Sequence, residues 1–265
     1  MTMSIVSAFA LAILGTAARE PVKVDSAPPA ALIGTWDVER VEADRQDQMH
    51  WDIHPGDPRL LGRSLEITTD SASFPPEMDR CSQKTWRSIT GSWDALFKKG
   101  FSRAAMGGRS GHPKPADFGF KPPSGGQASA FLLCAGNSHK DEWMESTWVA
   151  PTSADSLMMH RDAQVLLVLK RRPSGAKPTA SFSCEKASGA TETAICRSFA
   201  LASWDRSVAA AYKAAVSRKW NQASKIRDEQ KAWLKERNAC NDQECMENSM
   251  RDRVDDLIGQ TEYGH

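Results

Sequence analysis

Four of the six cysteines lie in the last third of this chain, and they constrain its fold more than any other feature of the sequence. They are Cys184, Cys196, Cys240 and Cys245. The segments between and after them carry apolar residues at helical spacing. Three helices this short bury too little apolar area to be stable without cross-links. The sequence therefore predicts a small all-α domain whose helices are held together by disulfide bonds.

Three amphipathic helices are predicted in this region. The first follows Ser198, which can cap a helix, and the second spans 224–239, starting at another candidate cap. The third starts near Cys245 and should end at Gly259, because glycine favours helix termination. The apolar stripe of the first helix consists of Leu201, Trp204, Val208, Ala211, Tyr212, Ala215, Val216 and, one register on, Trp220.

Disulfide bonds explain these four cysteines better than a zinc site does. Pairing in sequence order would close two small loops, each contributing roughly 2–3 kcal/mol on the loop-entropy model. Four cysteines allow three connectivities, so the pairing stays open at this point. A structural zinc site needs closely spaced ligand pairs such as Cys-x-x-Cys, and the chain contains none.

A framework of aromatic, apolar and polar residues stands in a fixed order among these cysteines. It consists of Glu192, Ile195, Asp205, Tyr212, Gln230, Trp233 and Arg237. Cysteines and framework together resemble the LprI-type lysozyme-inhibitor family of secreted bacterial proteins. The resemblance covers roughly residues 181–260, which is under a third of the chain.

The resemblance implies a small helical, disulfide-bonded domain more firmly than it implies an activity, because most members of the family have no assigned role. The named member is associated with inhibiting lysozyme. The partner that the resemblance implies is therefore lysozyme or another cell-wall hydrolase. The upstream segments 34–36 and 57–63, with Cys81, also resemble the amino-terminal half of some longer members.

Two sets of charged residues in the helical domain allow a structural or a functional interpretation. Asp205 and Arg237 are flanked by core positions, so we expect a partly buried ion pair or backbone capping. The acidic side chains of the last helix would complement a cationic partner such as lysozyme, but basic residues interrupt them and a solvated helix surface is the preferred alternative. These acidic residues are Asp242, Glu244, Glu247, Asp252, Asp255 and Asp256.

Residues 32–172 carry the pattern of a β-rich domain, with short alternating apolar segments between turn residues. The predicted fold class is α+β as two domains, an antiparallel β-barrel followed by the helical domain at 184–260. Gly34-x-Trp36 resembles the opening of lipocalin-type barrels, which implies a small apolar ligand. A buried Trp in any β domain and a periplasmic protease-inhibitor barrel are the alternatives. If the lipocalin-type barrel is present, Cys81 and Cys134 are the two cysteines left to pair across it.

The start of the chain and the stretch between the domains indicate export and separation. Residues 1–18 have the short apolar core and small residues of a signal peptide, with cleavage near Ala18. Residues 19–31 and 173–183 are predicted linkers. No cysteine near the cleavage site takes a lipid, unlike the family's named member, and no segment of the mature chain is a candidate membrane span. A soluble periplasmic or secreted protein is expected.

No complete catalytic motif is present. His50 and His54 have a spacing that can bind zinc on a helix, but no Glu follows His50 and Pro55 breaks the helix. In the segment 108–111 the second glycine is one position too early for a nucleophile elbow. The net charge of +1 gives no attraction to nucleic acid. We expect a non-enzymatic protein without metal or cofactor, and a structural envelope protein is the further alternative.

Overall fold

The computed structural model describes residues 22–46, 53–75, 78–82, 86–101, 111–123, 126–133, 147–162 and 165–262. An antiparallel sheet comes first in the chain and a group of helices follows it, so the predicted α+β class is confirmed. The predicted signal peptide at 1–18 and the histidine at position 50 lie outside the described residues.

Ten strands of the described residues form one sheet in which all neighbours are antiparallel. They are β1 (Val22–Asp25), β2 (Gly34–Ala43), β3 (Ser64–Ile67), β4 (Ser71–Phe74), β5 (Met78–Ser82), β6 (Trp86–Ser92), β7 (Gln127–Leu132), β8 (Trp148–Ser153), β9 (Ser156–Asp162) and β10 (Val165–Arg171). Their order in the sheet is β1-β6-β7-β8-β9-β10-β2-β3-β4-β5.

The sheet is open, so the prediction of a closed β-barrel is wrong. Closure would require the two edge strands, β1 and β5, to pair with each other, and the described residues show no such pairing. One edge of β6 pairs with β1, which matches Val22 with Ile89 and Asp25 with Trp86, and its other edge pairs with β7. A strand has only two hydrogen-bonding edges, so β5 cannot pair with β6. The strand β1 lies in the stretch for which a linker was predicted.

The open sheet still curls strongly. Trp86 of β6 donates a hydrogen bond from its indole nitrogen to the carbonyl of Thr69, over 3.3 Å. Thr69 lies between β3 and β4, at the opposite end of the strand order. The two ends of the sheet are therefore joined by side chains where backbone pairing is missing.

Both faces of the sheet are covered. On one face a cluster that includes Trp36, Phe74 and Leu167 is buried. On the other face α1 (Trp93–Gly100) packs Leu96 and Phe97 against the sheet. The central strand β10 is consequently buried on both sides, which explains its continuous apolar sequence.

Trp36, the tryptophan of the Gly34-x-Trp36 motif, is part of the packed core. Its side chain is buried, and its indole nitrogen donates to the carbonyl of Leu32 over 2.9 Å. The guanidinium of Arg171 stacks on its ring at 3.9 Å from the centroid. These contacts fix the start of β2 against the end of β10.

Four α-helices form the second part of the fold, which has its own buried cluster. They are α2 (Gly189–Arg197), α3 (Phe199–Arg218), α4 (Ala223–Asn238) and α5 (Gln243–Glu262). Ser198 caps α3 by accepting a hydrogen bond from the backbone of Leu201, as predicted.

Two predicted helix boundaries in this region are wrong. The helix α4 begins at Ala223 with no side-chain cap, so Ser224 has no capping role. The helix α5 continues through Gly259 to Glu262. Gln260 donates to Glu229 of α4 over 3.0 Å, so a tertiary contact supports the last turn where the local sequence favours a stop.

Disulfide bonds are present where the helical region was expected to need them. Cys184 is bonded to Cys196, which ties the turn before α2 to the end of that helix. Cys240 is bonded to Cys245 and joins the end of α4 to the first turn of α5. Cys81 is disulfide-bonded as well, and Cys134, its expected partner, lies outside the described residues.

Candidate functional site

The framework residues, on which the resemblance rests, make contacts within the helical region. Asp205 and Arg237 lie 3.8 Å apart, and each side chain is 8% exposed. Asp205 also accepts a hydrogen bond from the backbone of Ser181 over 2.6 Å. Burial lowers the pKa of the Arg237 guanidinium, and the charge of Asp205 opposes that shift. This ion pair holds α3, α4 and the segment before α2 together.

Trp233 and Gln230 join α4 to α5. The indole nitrogen of Trp233 donates to the carbonyl and the hydroxyl of Ser249, over 3.2 and 3.1 Å. Gln230 accepts a hydrogen bond from Arg253 over 3.0 Å. Both residues are therefore engaged inside the bundle.

The remaining framework residues are also used for packing. Glu192 accepts a hydrogen bond from the backbone of Ser188 over 2.6 Å, at the start of α2. Ile195 is fully buried, and Tyr212 is half-buried against the same cluster. The framework residues therefore stabilise the fold, and they do not by themselves form a surface for a partner.

A seam joins the helices to the sheet, and the loop 57–63 makes much of it. Arg63 is 3% exposed, and its guanidinium carbon stacks 3.5 Å from the centroid of the Trp204 ring. The same guanidinium donates to the hydroxyl of Ser207 over 2.6 Å. The backbone of Arg63 is held in turn by Val38 of β2, which donates to its carbonyl over 2.9 Å. Arg63 thus connects the sheet directly to α3.

Gly62 is required at this seam by the close approach of α3. Its φ is +73°, and a Cβ there would lie 2.7 Å from the hydroxyl oxygen of Ser203. That hydroxyl donates to the carbonyl of Leu61 over 3.4 Å. Any side chain at position 62 would push the loop and the helix apart.

Asp57 organises the loop from inside. Its buried carboxylate accepts hydrogen bonds from the backbone of Arg59 over 2.8 Å and from its guanidinium over 2.6 Å. It also accepts from the backbone of His54 over 3.3 Å. The resemblance to longer family members includes the segment 57–63. The contact of this segment with α3 could not be predicted from the sequence.

A second contact extends the seam to the start of α3. The guanidinium of Arg172, just after β10, stacks on Phe199 at 3.8 Å from the ring centroid. Arg172 also pairs with Asp37 of β2 over 2.5 Å. The sheet and the helical region are thus in contact along the first half of α3.

A cavity of about 520 Å³ lies further along this seam. Its walls come from the loop at 54–58 and from α3 and α5, and most of its helical lining is apolar. The lining residues are His54, Pro55, Gly56, Asp57, Pro58, Ala210, Ala211, Ala214, Arg218, Leu257, Ile258 and Thr261. Arg218, the arginine among these lining residues, is exposed.

The connection between α3 and α4 carries a basic surface with an exposed tryptophan. We call residues 218–227 the basic tip. Its charged residues are Arg218, Lys219, Lys225 and Arg227, with no acidic residue among them. Trp220 lies in the 3-10 turn at 220–222 and is 80% exposed.

The prediction that Trp220 belongs to the apolar stripe of the helix is wrong. The helix α3 ends at Arg218, and Lys219 leaves helical geometry with φ −113° and ψ 54°. This change of direction turns the next residue away from the bundle core. The other six tryptophans that the structure describes are at most 8% exposed.

The acidic side chains of α5 do not form one free surface. Asp242 accepts a hydrogen bond from the backbone of Cys245 over 2.8 Å, and Glu247 accepts from Gln243 over 2.7 Å. Burial raises the pKa of Asp255, which faces the charges of Arg59 and Asp57 in the loop. These carboxylates serve several different local contacts.

No metal centre or membrane helix is found in the part of the chain that the structure describes. No group of three or more His, Cys, Asp or Glu side chains within those residues could hold a metal ion. None of the described helices combines the length and the apolar sequence needed to cross a membrane.

The helical region is similar to a known protein family. Residues 184–257 match the model of a family described as lysozyme inhibitor LprI. The matched segment contains both helical disulfides and every framework residue. No family model matches the upstream sheet, so the likeness to lipocalins gains no support. No curated protein and no solved structure matches the chain.

Proposed function

We propose that this protein is an exported, non-enzymatic protein that binds and inhibits lysozyme or another cell-wall hydrolase. The observation that carries the proposal is the match of residues 184–257 to the lysozyme-inhibitor family model. The helices, the two disulfide bonds and the packed framework support it, because the matched segment forms an ordered bundle and could present a fixed surface.

The proposed location is the periplasm or the exterior of the cell. The matched family and the disulfide bonds fit such a location, because disulfides persist in oxidising compartments. The proposal includes the signal peptide at 1–18, the sheet domain at 32–172 and the helical domain at 184–260. The predicted linkers at 19–31 and 173–183 complete this division, although Val22–Asp25 within the first one pairs with β6 of the sheet.

In this proposal the sheet region acts as a support for the helices. Arg63, Gly62 and Arg172 fix α3 against the sheet, so the orientation of the helical surface depends on the loop 57–63. A small-ligand carrier is not favoured, because bulky side chains such as Trp36 and Phe74 fill one face of the sheet. The cavity described above lies at the seam instead.

The test is a titration of lysozyme activity with the full mature chain from about Arg19 onward, in its oxidised form. Hydrolysis of peptidoglycan by lysozymes of several classes is followed at increasing protein concentration. We expect saturable inhibition at micromolar protein or below. The matched control is the reduced and alkylated chain, which should lose inhibition because the helical bundle loses its cross-links.

Two results would decide against the proposal. If the oxidised chain slows no class of lysozyme at micromolar concentration, inhibition of lysozyme is excluded and the structural-envelope alternative gains ground. If the reduced, unfolded chain inhibits as well as the oxidised one, the effect is non-specific and does not belong to the folded helical region.

A further inference from the structure

We propose that the basic tip, residues 218–227, is the part of the molecule that enters the active-site cleft of the inhibited hydrolase. This inference rests on the proposed function and names the surface that would carry it out. The contact would be made by Trp220 together with Arg218 and Arg227 of the same tip.

The exposure of Trp220 is the first observation. The side chain is 80% exposed, whereas every other tryptophan that the structure describes is buried in a core or at the seam. Tryptophan has the largest apolar surface of any side chain and dominates binding energy when it becomes buried at an interface. An exposed one at the end of an ordered pair of helices is therefore a strong candidate for a binding anchor.

The charge around Trp220 is the second observation. Four basic residues and no acidic one lie between 218 and 227, while acidic residues are concentrated after position 227. Arg218 and Arg227 are exposed and form no ion pair with any described residue. Two of the four cations of the basic tip are thus exposed and without an ion pair, whereas Lys225 pairs with Glu229 over 3.7 Å.

The chemistry of the target cleft complements this end. Glycoside hydrolases of the lysozyme type place two carboxyl groups on either side of the scissile bond, in a cleft shaped to hold sugar rings. A cleft lined by negative charge focuses its field and attracts cations. The flat indole of Trp220 can occupy a sugar subsite, and Arg218 can approach the carboxylates.

The competing surface on α5 is less suitable. Asp242 and Glu247 are used in hydrogen bonds within the helix, and Asp255 faces the loop of the sheet region. Glu244, Asp252 and Asp256 remain exposed, but carboxylates alone offer no apolar anchor of comparable area. The α5 surface would also meet the outside of a cationic enzyme, which would leave its active site open.

The test compares variants of the full oxidised chain in the lysozyme titration. We expect Trp220→Ala to raise the inhibition constant at least about tenfold, as for an aromatic anchor. We expect Arg218→Glu to raise it several-fold, with the larger effect at low salt. The control is Lys235→Glu, which makes the same charge change on an exposed residue of α4 outside the tip and should leave inhibition unchanged.

A second measurement addresses the cleft itself. An oligomer of N-acetylglucosamine that fills the sugar subsites should compete with the unaltered chain for lysozyme. Circular dichroism and thermal unfolding of the Trp220→Ala chain should match the unaltered chain, because the side chain is not part of the core. Loss of inhibition then reports lost contact and not lost folding.

The outcomes separate this inference from the proposed function. If the unaltered chain inhibits and Trp220→Ala inhibits equally well, the tip is not the binding surface and the inference is overturned. If Asp252→Lys abolishes inhibition while the tip variants do not, the α5 surface is the binding site. If the unaltered chain does not inhibit at all, the proposed function fails and the inference fails with it.

Discussion

The sheet and the helical region of this protein are ordered by opposite means. The helices are held by contacts within one continuous stretch, residues 180–262, including the Asp205–Arg237 ion pair and disulfides that span 12 and 5 residues. The centre of the sheet depends on β10 and β2, which pair Val165 with Ala43. A short sequence pattern can describe the first kind of order but not the second, and the family match accordingly falls on the helices alone.

The two regions are nevertheless not independent of each other, because the seam connects them. Arg63 comes from the sheet side, yet its guanidinium is buried against Trp204 and Ser207 of α3. A buried cation without these contacts would be strongly unfavourable. Each region therefore completes the other at one point, and mutations can show how far the coupling extends.

The largest expected effect comes from the core of the sheet. Trp36→Ala removes a buried indole that packs in the main cluster and should lower the free energy of unfolding by about 3–5 kcal/mol. Urea unfolding measures the loss. Val24→Ala, on an exposed side chain of β1, is the control and should change little. A loss below about 1 kcal/mol would show that the sheet does not depend on this core.

The seam should give the next largest effect. Arg63→Ala should lower the free energy of unfolding by about 2–4 kcal/mol, because the ring of Trp204 and the hydroxyl of Ser207 lose their partner. Unfolding should separate into two transitions when sheet and helices are followed by amide exchange. Arg40→Ala, on an exposed arginine of β2, should cost less than about 0.5 kcal/mol. A single unchanged transition in Arg63→Ala would refute the coupling.

The disulfides should give a smaller effect that is confined to the helices. Replacing Cys184 and Cys196 by serine should cost about 3 kcal/mol, and replacing Cys240 and Cys245 about 2 kcal/mol, because the second loop is shorter. Thermal unfolding checks the order of the two losses. Amide exchange in β2 and β10 should stay unchanged, and faster exchange there would contradict the division between local and long-range order.

The smallest effect on stability is expected at Asp255, where α5 lies near the charged residues of the loop 57–63. Burial raises the pKa of Asp255, so its ionised form is less stable in the folded chain than in the unfolded one. Protonation of the Asp255 carboxyl therefore stabilises the folded chain. This stabilisation is fully present below the pKa of the unfolded state and is lost as the pH rises through the pKa of the folded state.

Asp255→Asn should consequently stabilise the chain near neutral pH, by less than about 0.5 kcal/mol because the side chain is exposed to solvent. Near about pH 3, where the carboxyl is protonated in both states, the gain should vanish. Unfolding at both pH values measures it, with Glu236→Gln on α4 as the control. A gain that persists at low pH would point to a cause other than charge.

The sequence allowed most of the helical region to be predicted, because its determinants are close together. Ser198 and Leu201 stand three residues apart, and the cap that they form depends on nothing distant. The apolar stripe of α3 was also predictable up to Val216. It failed at Trp220, because α3 ends at Arg218 and Lys219 leaves helical geometry, an ending that the apolar periodicity does not mark.

The presence of several short strands could be predicted from the sequence, but whether they form a closed barrel or an open sheet could not. One edge strand of the open sheet is Val22–Asp25, four residues whose short alternation between prolines and charges gave no clear strand signal. The seam was missed for a similar reason. Asp57–Arg63 is a distinctive segment, but its partner on α3 follows more than a domain's length later in the chain.

The short edges of the sheet also affect how copies of this protein meet. An open sheet presents unpaired backbone groups that can recruit strands of other molecules and start aggregation. Here the edge strands β1 and β5 have only four and five residues. Lys23 and Asp25 of β1 form an exposed ion pair, so a second strand would have to disturb charge and hydration to add there. The short, charged strand β1 thus protects this edge of the sheet against pairing with a second molecule.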